Sequence, residues 1–143
     1  MEQLNDIVFY TIDKAIRTYR QFAQKELKKA GFAITIDQWL IIKNILEYPE
    51  ISQQELSEKV FKDNASVTRI IELLVKAGYI ERNISSSDRR RTKLKVTSSG
   101  KKIIADVHKV VLKNRSTALT GLSANAIRNM KKSLQEIIKN CLK

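Results

Sequence analysis

Residues 52–100 read SQQELSEKVFKDNASVTRIIELLVKAGYIERNISSSDRRRTKLKVTSSG, and the order of signals in this stretch decides the fold. Ser52-Gln53-Gln54-Glu55 has the form of a capping box: a serine hydroxyl takes a free amide of the first turn while the glutamate three residues on reaches back to the cap. It opens a short helix whose inward residues are Leu56 and Val60. After Phe61-Lys62, Asp63 suits the N-cap of a helix from Asn64 to about Ala77, and Gly78 suits the left-handed position past its end. Val67, Ile70, Ile71, Leu74 and Val75 make one apolar face of that helix. Tyr79–Ile84 and Thr92–Thr97 suit β-strands, with Leu94 and Val96 alternating against Lys93 and Lys95. The loop between them carries Asp88, Arg89, Arg90 and Arg91.

Helix, turn, helix and basic hairpin in that order make a winged helix-turn-helix. On the second helix, the side away from the apolar face starts with Asn64, Ala65, Ser66, Thr68 and Arg69. These are short hydrogen-bonding groups and one long cation, gathered where a recognition helix meets base edges in the major groove. The competing reading is a plain solvated helix face, but serine and threonine bring a helix no propensity benefit. Three consecutive arginines in a loop repel one another unless an anion is near, and arginine suits a narrow, negative minor groove. Asp88, Arg89, Arg90, Arg91 and Lys93 are therefore the wing candidates.

Working outward, Leu4, Ile7, Val8, Ile12, Ala15, Ile16, Tyr19, Phe22, Ala23 and Leu27 keep a three/four spacing. This predicts one long amphipathic helix ending near Gly31. Thr35-Ile36-Asp37-Gln38 is a second capping box, opening a helix that carries Trp39, Leu40, Ile42, Ile45 and Leu46 and stops at Tyr48, because a residue before proline avoids helical angles. Thr97 or Ser98 caps another helix with Ile103, Ile104, Val107, Val110 and Val111 along one side. Leu119–Gly121 breaks it. Ser123 opens the last helix, whose stripe includes Leu122, Ala126, Ile127, Met130, Leu134, Ile137, Ile138, Cys141 and Leu142.

The fold class expected is mainly α with one β-hairpin (α+β): a winged lobe over residues 35–100, flanked by long helices over 1–31 and 101–143. Those flanking helices carry more apolar surface than so small a lobe covers, which predicts a homodimer built from them.

Composition fits a polyanionic partner. The 143 residues hold 27 Lys+Arg against 15 Asp+Glu, a formal charge of +12, and such a surface attracts nucleic acid. No apolar run approaches the roughly 18 residues needed to span a bilayer, and no export signal is visible, so a cytoplasmic protein with no membrane partner is expected. One cysteine, Cys141, and one histidine, His108, leave no zinc cluster. A single histidine with scattered carboxylates offers no base beside a nucleophile, and four isolated glycines form no phosphate loop, so neither enzyme activity nor a cofactor is expected.

Asp63-Asn64-Ala65-Ser66-Val67-Thr68-Arg69, then Leu74-Val75-Lys76-Ala77-Gly78-Tyr79-Ile80-Glu81-Arg82, then Asp88-Arg89-Arg90-Arg91 with Val96-Thr97-Ser98-Ser99-Gly100 resemble the MarR family of bacterial transcription regulators. The resemblance covers essentially the whole chain. Its most specific part is the Asp-x-Arg element with the downstream Thr-x-x-Gly; Val96 stands where a leucine is usual. It implies a homodimer of interleaved terminal helices, each protomer presenting one winged lobe to double-stranded DNA. It also implies that Asp88 and Arg90 shape the wing, with Arg90 near the minor groove, and that Ser66, Thr68 and Arg69 fall where the recognition helix touches DNA. Relatives of this kind often release DNA when a small, frequently aromatic, effector enters a cleft between dimer helices and lobe. Tyr19, Trp39 and His108 have suitable chemistry but are more simply packing residues. Relatives that sense peroxide use a cysteine in the first helix, which this chain lacks. Cys141, on the apolar side of the last helix, reads as an inert buried thiol, with a disulfide across the dimer as the alternative. An architectural winged helix that coats DNA with little sequence preference is the rival reading, separated by the ratio of specific to non-specific affinity.

Overall fold

The computed structural model describes residues 1–84 and 92–143. The chain begins with a 3₁₀ turn, Leu4–Asp6, and continues as α1 (Val8–Lys29), α2 (Ile36–Glu47), α3 (Gln53–Lys59) and α4 (Asn64–Lys76). Strands β1 (Ile80–Ile84) and β2 (Thr92–Val96) follow, then α5 (Ser98–Ala118) and α6 (Ala124–Cys141). The first helix is shorter than its apolar spacing predicts. Ile7, at φ −89° and ψ 118°, is extended and offers no side-chain cap, so the chain starts its α-helix only at Val8.

Local chemistry places the other boundaries. Both capping boxes form: Oγ1 of Thr35 accepts from the Gln38 amide at 3.0 Å while Gln38 Oε1 accepts from the Thr35 amide at 3.0 Å. Ser52 and Glu55 make the same reciprocal pair at 3.1 and 3.4 Å. Asp63 caps α4, Thr97 caps α5 and Ser123 caps α6, each through its side chain. Gly78 and Gly121 take φ of +82° and +88° just past α4 and α5, the left-handed angles that end a helix cheaply only at glycine.

The core is one cluster shared by α2, α3, α4, the hairpin and the inner sides of α1 and α5. Ile41, Ile42, Leu56, Val67, Ile71, Leu74, Ile80 and Val107 are its most enclosed side chains. β1 and β2 pair antiparallel with Ile80 opposite Val96 and Arg82 opposite Leu94, so Leu94 and Val96 enter the core and Lys93 and Lys95 face water. Val75, expected on the apolar face of α4, is exposed instead. The inward line is Val67, Ile71 and Leu74, and Val75 falls a helical step past it.

The last helix buries nothing. No residue of α6 is enclosed, and Met130, Ile138, Leu142 and Cys141 are all exposed in the single chain. Cys141 is exposed in the single chain because the lobe's core ends at α5 and does not reach the apolar stripe of α6. Among the described residues no helix is long and apolar enough to cross a membrane.

Candidate nucleic-acid interface

Recognition by α4 needs its first two turns to be both held and presented. The hold begins at the cap, where Oδ1 of Asp63 accepts from the Ser66 amide at 2.7 Å and Oδ2 accepts from the Ser66 hydroxyl at 3.0 Å. These bonds favour the charged carboxylate, so the Asp63 pKa is lowered, with the nearby Arg69 adding a smaller push in the same direction.

From behind, α3 grips α4 through polar side chains. Nε2 of Gln53 donates to Oγ1 of Thr68 at 2.6 Å, and Thr68 Oγ1 in turn donates to the Asn64 carbonyl at 2.8 Å. Oγ of the buried Ser57 lies 2.7 Å from Oδ1 of Asn64 and 3.0 Å from the Gln53 carbonyl, so its single proton is shared between the two helices. Gln53 and Ser57 escaped the sequence reading. Their reach depends on how α3 crosses α4, which no spacing within one segment reports; only the polar character of an inward helix position hinted at it.

The five recognition-helix candidates thus separate into two groups. Asn64, Ser66 and Thr68 spend part of their hydrogen-bonding capacity on the fold, with Asn64 exposed and Ser66 and Thr68 half-exposed, whereas Ala65 and Arg69 are exposed and make no side-chain bond to the fold among the described residues. No ion pair to Arg69 forms among the described residues. Of the wing candidates, Lys93 sits on β2, where its Nζ meets Oε1 of Glu50 at 3.2 Å with both side chains largely in water. Such a pair contributes little net energy, so Lys93 can exchange partners readily. Asp88, Arg89, Arg90 and Arg91 lie outside the described residues.

One carboxylate ties this lobe to the first helix. Asp37, in the first turn of α2, accepts from Nη2 of Arg20 on α1 through Oδ1 and from Nζ of Lys62 in the α3–α4 turn at 3.3 Å through Oδ2. Nearby, the Arg115 guanidinium of α5 lies 5.8 Å from the centre of the Trp39 ring. Tyr19 lines a cleft of about 510 Å³ between α1 and α5 together with Phe22, Lys14 and Thr117. His108 is exposed on α5, away from that cleft.

Residues 34–92, which span α2 to the start of β2, match the MarR family. The MarR domain match ends within the winged lobe, and the likeness of fold extends further, into the flanking helices. A mutant of MarR from E. coli complexed with operator DNA is 21% identical at a TM-score of 0.84, covering 96% of this chain and 99% of that one. BpsR of Bordetella bronchiseptica, whose DNA binding is regulated by 6-hydroxynicotinic acid, is 14% identical at 0.85, covering 96% of each chain. CouR from Rhodococcus jostii, bound to p-coumaroyl-CoA, is 18% identical at 0.80, covering 96% of this chain and 95% of that one. The fold is shared with these three solved structures along nearly the whole chain.

Proposed function

We propose that the protein is a sequence-specific, double-stranded-DNA-binding transcriptional repressor that acts as a homodimer on a pseudo-palindromic operator. The observation that carries this reading is the state of α4: capped, braced from behind by Gln53 and Ser57, and presenting Ala65, Ser66 and Arg69 outward. Bracing lets a helix enter the major groove without losing the order its contacts need. The flanking Asn64 and Thr68 complete the reading surface. Asp88, Arg89, Arg90, Arg91 and Lys93 supply the wing, with Arg90 in the minor groove.

The helices over 1–31 and 101–143 form the dimer in this reading. Val8, Phe9 and Ile16 on α1, Leu112 on α5, and Met130 and Ile138 on α6 are exposed large apolar side chains that a second copy would cover. A two-fold dimer then sets the two recognition helices on half-sites centred about 10 base pairs apart, or a multiple of that. BpsR responds to 6-hydroxynicotinic acid and CouR binds p-coumaroyl-CoA, which supports a small aromatic effector that releases the DNA.

The test is selection of duplexes from a random-sequence pool, followed by affinity measurements across salt. A pseudo-palindrome bound roughly a thousandfold tighter than random duplex, with a slope of log affinity against log salt of roughly −7, supports the reading. A comparable grip on all sequences would make it an architectural DNA-coating protein instead. Arg90→Ala should cripple binding, whereas a winged helix used only for protein contact would leave the substitution without effect.

A further inference from the structure

The turn between α3 and α4 contains a residue that is costly for the fold in two separate ways. Phe61 has φ of 62°, and it is the one non-glycine with positive φ among the described residues. In that region a Cβ crowds the backbone, which is why the position just past a helix end is usually glycine. Its ring is also 87% exposed, more than any other large apolar side chain of the described residues away from the chain ends. Neither property helps the chain fold. A glycine would relieve the angle, and a polar side chain would suit the water.

The turn is nevertheless held firmly. The Phe61 amide donates to the Glu58 carbonyl at 3.3 Å and the Lys62 amide to the Ser57 carbonyl at 3.1 Å, the paired bonds that close a helix with a left-handed residue. Lys62 is then drawn to Asp37, which Arg20 holds from α1. With its neighbour anchored inward, Phe61 has its ring held outward. A strained residue persists where its surroundings over-determine it, and such residues gather where a protein meets its ligand.

The place of Phe61 identifies the ligand. It stands two residues before Asp63, the cap of α4, at the helix end from which Ala65, Ser66 and Arg69 face outward. We infer that Phe61 is a DNA-contact residue, whose ring packs on a thymine methyl group at the edge of the major groove beside the first turn of α4. Phenylalanine is one of the side chains that read the thymine C5-methyl by apolar contact, a group that cytosine and uracil lack. The inference rests on the DNA-binding reading of α4. It adds to that reading a specificity contact outside the recognition helix, made by a residue with no hydrogen-bonding group.

The experiment uses the full chain, a pseudo-palindromic duplex selected from a random pool, and the same duplex with thymines replaced one at a time by deoxyuridine. Phe61→Gly should melt no lower than the wild type, because the strained angle is relieved, yet bind the selected duplex roughly five- to tenfold more weakly. Deoxyuridine at one symmetric pair of positions should weaken the wild type by a similar factor and leave Phe61→Gly unaffected. Equal affinity of the two proteins would overturn the inference, and so would equal sensitivity to deoxyuridine at every position. Weaker self-association of Phe61→Gly in sedimentation would also overturn it, by assigning the ring to a contact between subunits. If Phe61→Gly binds like the wild type while Arg69→Ala and Arg90→Ala lose the duplex, the inference fails alone. If the wild type selects no sequence, the DNA-binding reading fails with it.

Discussion

The side-chain amide of Gln53 donates to the hydroxyl of Thr68 across 2.6 Å, joining the first residue of α3 to the second turn of α4. The bond braces α4, the proposed recognition helix, from the α3 side. Removing the donor leaves the half-buried Thr68 hydroxyl with only its bond to the Asn64 carbonyl. Gln53→Ala should therefore cost about 0.5–1.5 kcal/mol in urea denaturation. Operator affinity should fall further than that of a control substitution at Gln54, which makes no such bond to α4 among the described residues. Equal affinities for the two variants would show that the brace does not matter for binding.

Asp37 gives a second test of how the lobe is held. Its two oxygens serve different helical elements, yet Arg20, Lys62 and Asp37 keep 38, 33 and 30% of their side-chain surface, so solvent screens both pairs. Asp37→Asn should cost only about 0.5–1.5 kcal/mol, measured by chemical denaturation, and less as salt is raised. A cost independent of salt would point to packing around Asp37 as the larger contribution.

The Asp63 cap makes stability depend on pH in a defined direction. Its folded pKa is lowered by the Ser66 amide and hydroxyl, so its stabilisation is fully present above the unfolded aspartate value and is lost as pH falls through the folded one. The stability gap between wild type and Asp63→Ala should be constant from about pH 6 to 8 and shrink below about pH 4. Thermal melts across that range would show it. A gap that widens in acid would contradict the assignment of the cap.

Gly100 has no room for a side chain. A Cβ there would lie 2.7 Å from Cγ1 of Val96 and inside contact distance of the Tyr79 carbonyl oxygen, a backbone atom that cannot rotate away. That carbonyl also accepts from the Thr97 amide at 3.1 Å, so shifting it disturbs the junction of hairpin and α5. Gly100→Ala should cost about 2–3 kcal/mol, lowering the melting temperature by roughly 5–10 °C. An unchanged melting temperature would mean that α5 can slide away from the hairpin.

Ile138 on α6 is 56% exposed in the single chain. In the proposed homodimer, Ile138→Glu should leave the fold of each protomer intact and shift sedimentation from dimer to monomer, with operator affinity falling in parallel. A variant that stays dimeric would place the subunit contact elsewhere.

Much of the fold is legible in the sequence because its boundaries are local. Thr35, Ser52, Asp63, Thr97 and Ser123 satisfy free amides within three residues, and Gly78 and Gly121 end helices by the freedom of their own backbone. The alternation of Leu94 and Val96 with Lys93 and Lys95 likewise follows from the two-residue period of a strand. The exceptions are equally local in origin. Ile7 has no capping group and so delays α1, and Val75 shows that an apolar residue at the edge of a helical stripe need not meet the core.

What tertiary structure alone decided is which side chains meet across elements. The outward residues of α4 can be picked from sequence, but not that Asn64 and Thr68 are engaged by Ser57 and Gln53 while Ala65 and Arg69 remain exposed. Asp37 is an ordinary first-turn acid until packing brings Arg20 and Lys62 to it from opposite directions along the chain. Phe61 reads as one more apolar residue until its left-handed angle and exposed ring are seen together. Caps, turns and periodicity act over three or four residues, so they are written in order along the chain. Bracing, anchoring and presentation depend on helix crossings that only the folded whole sets.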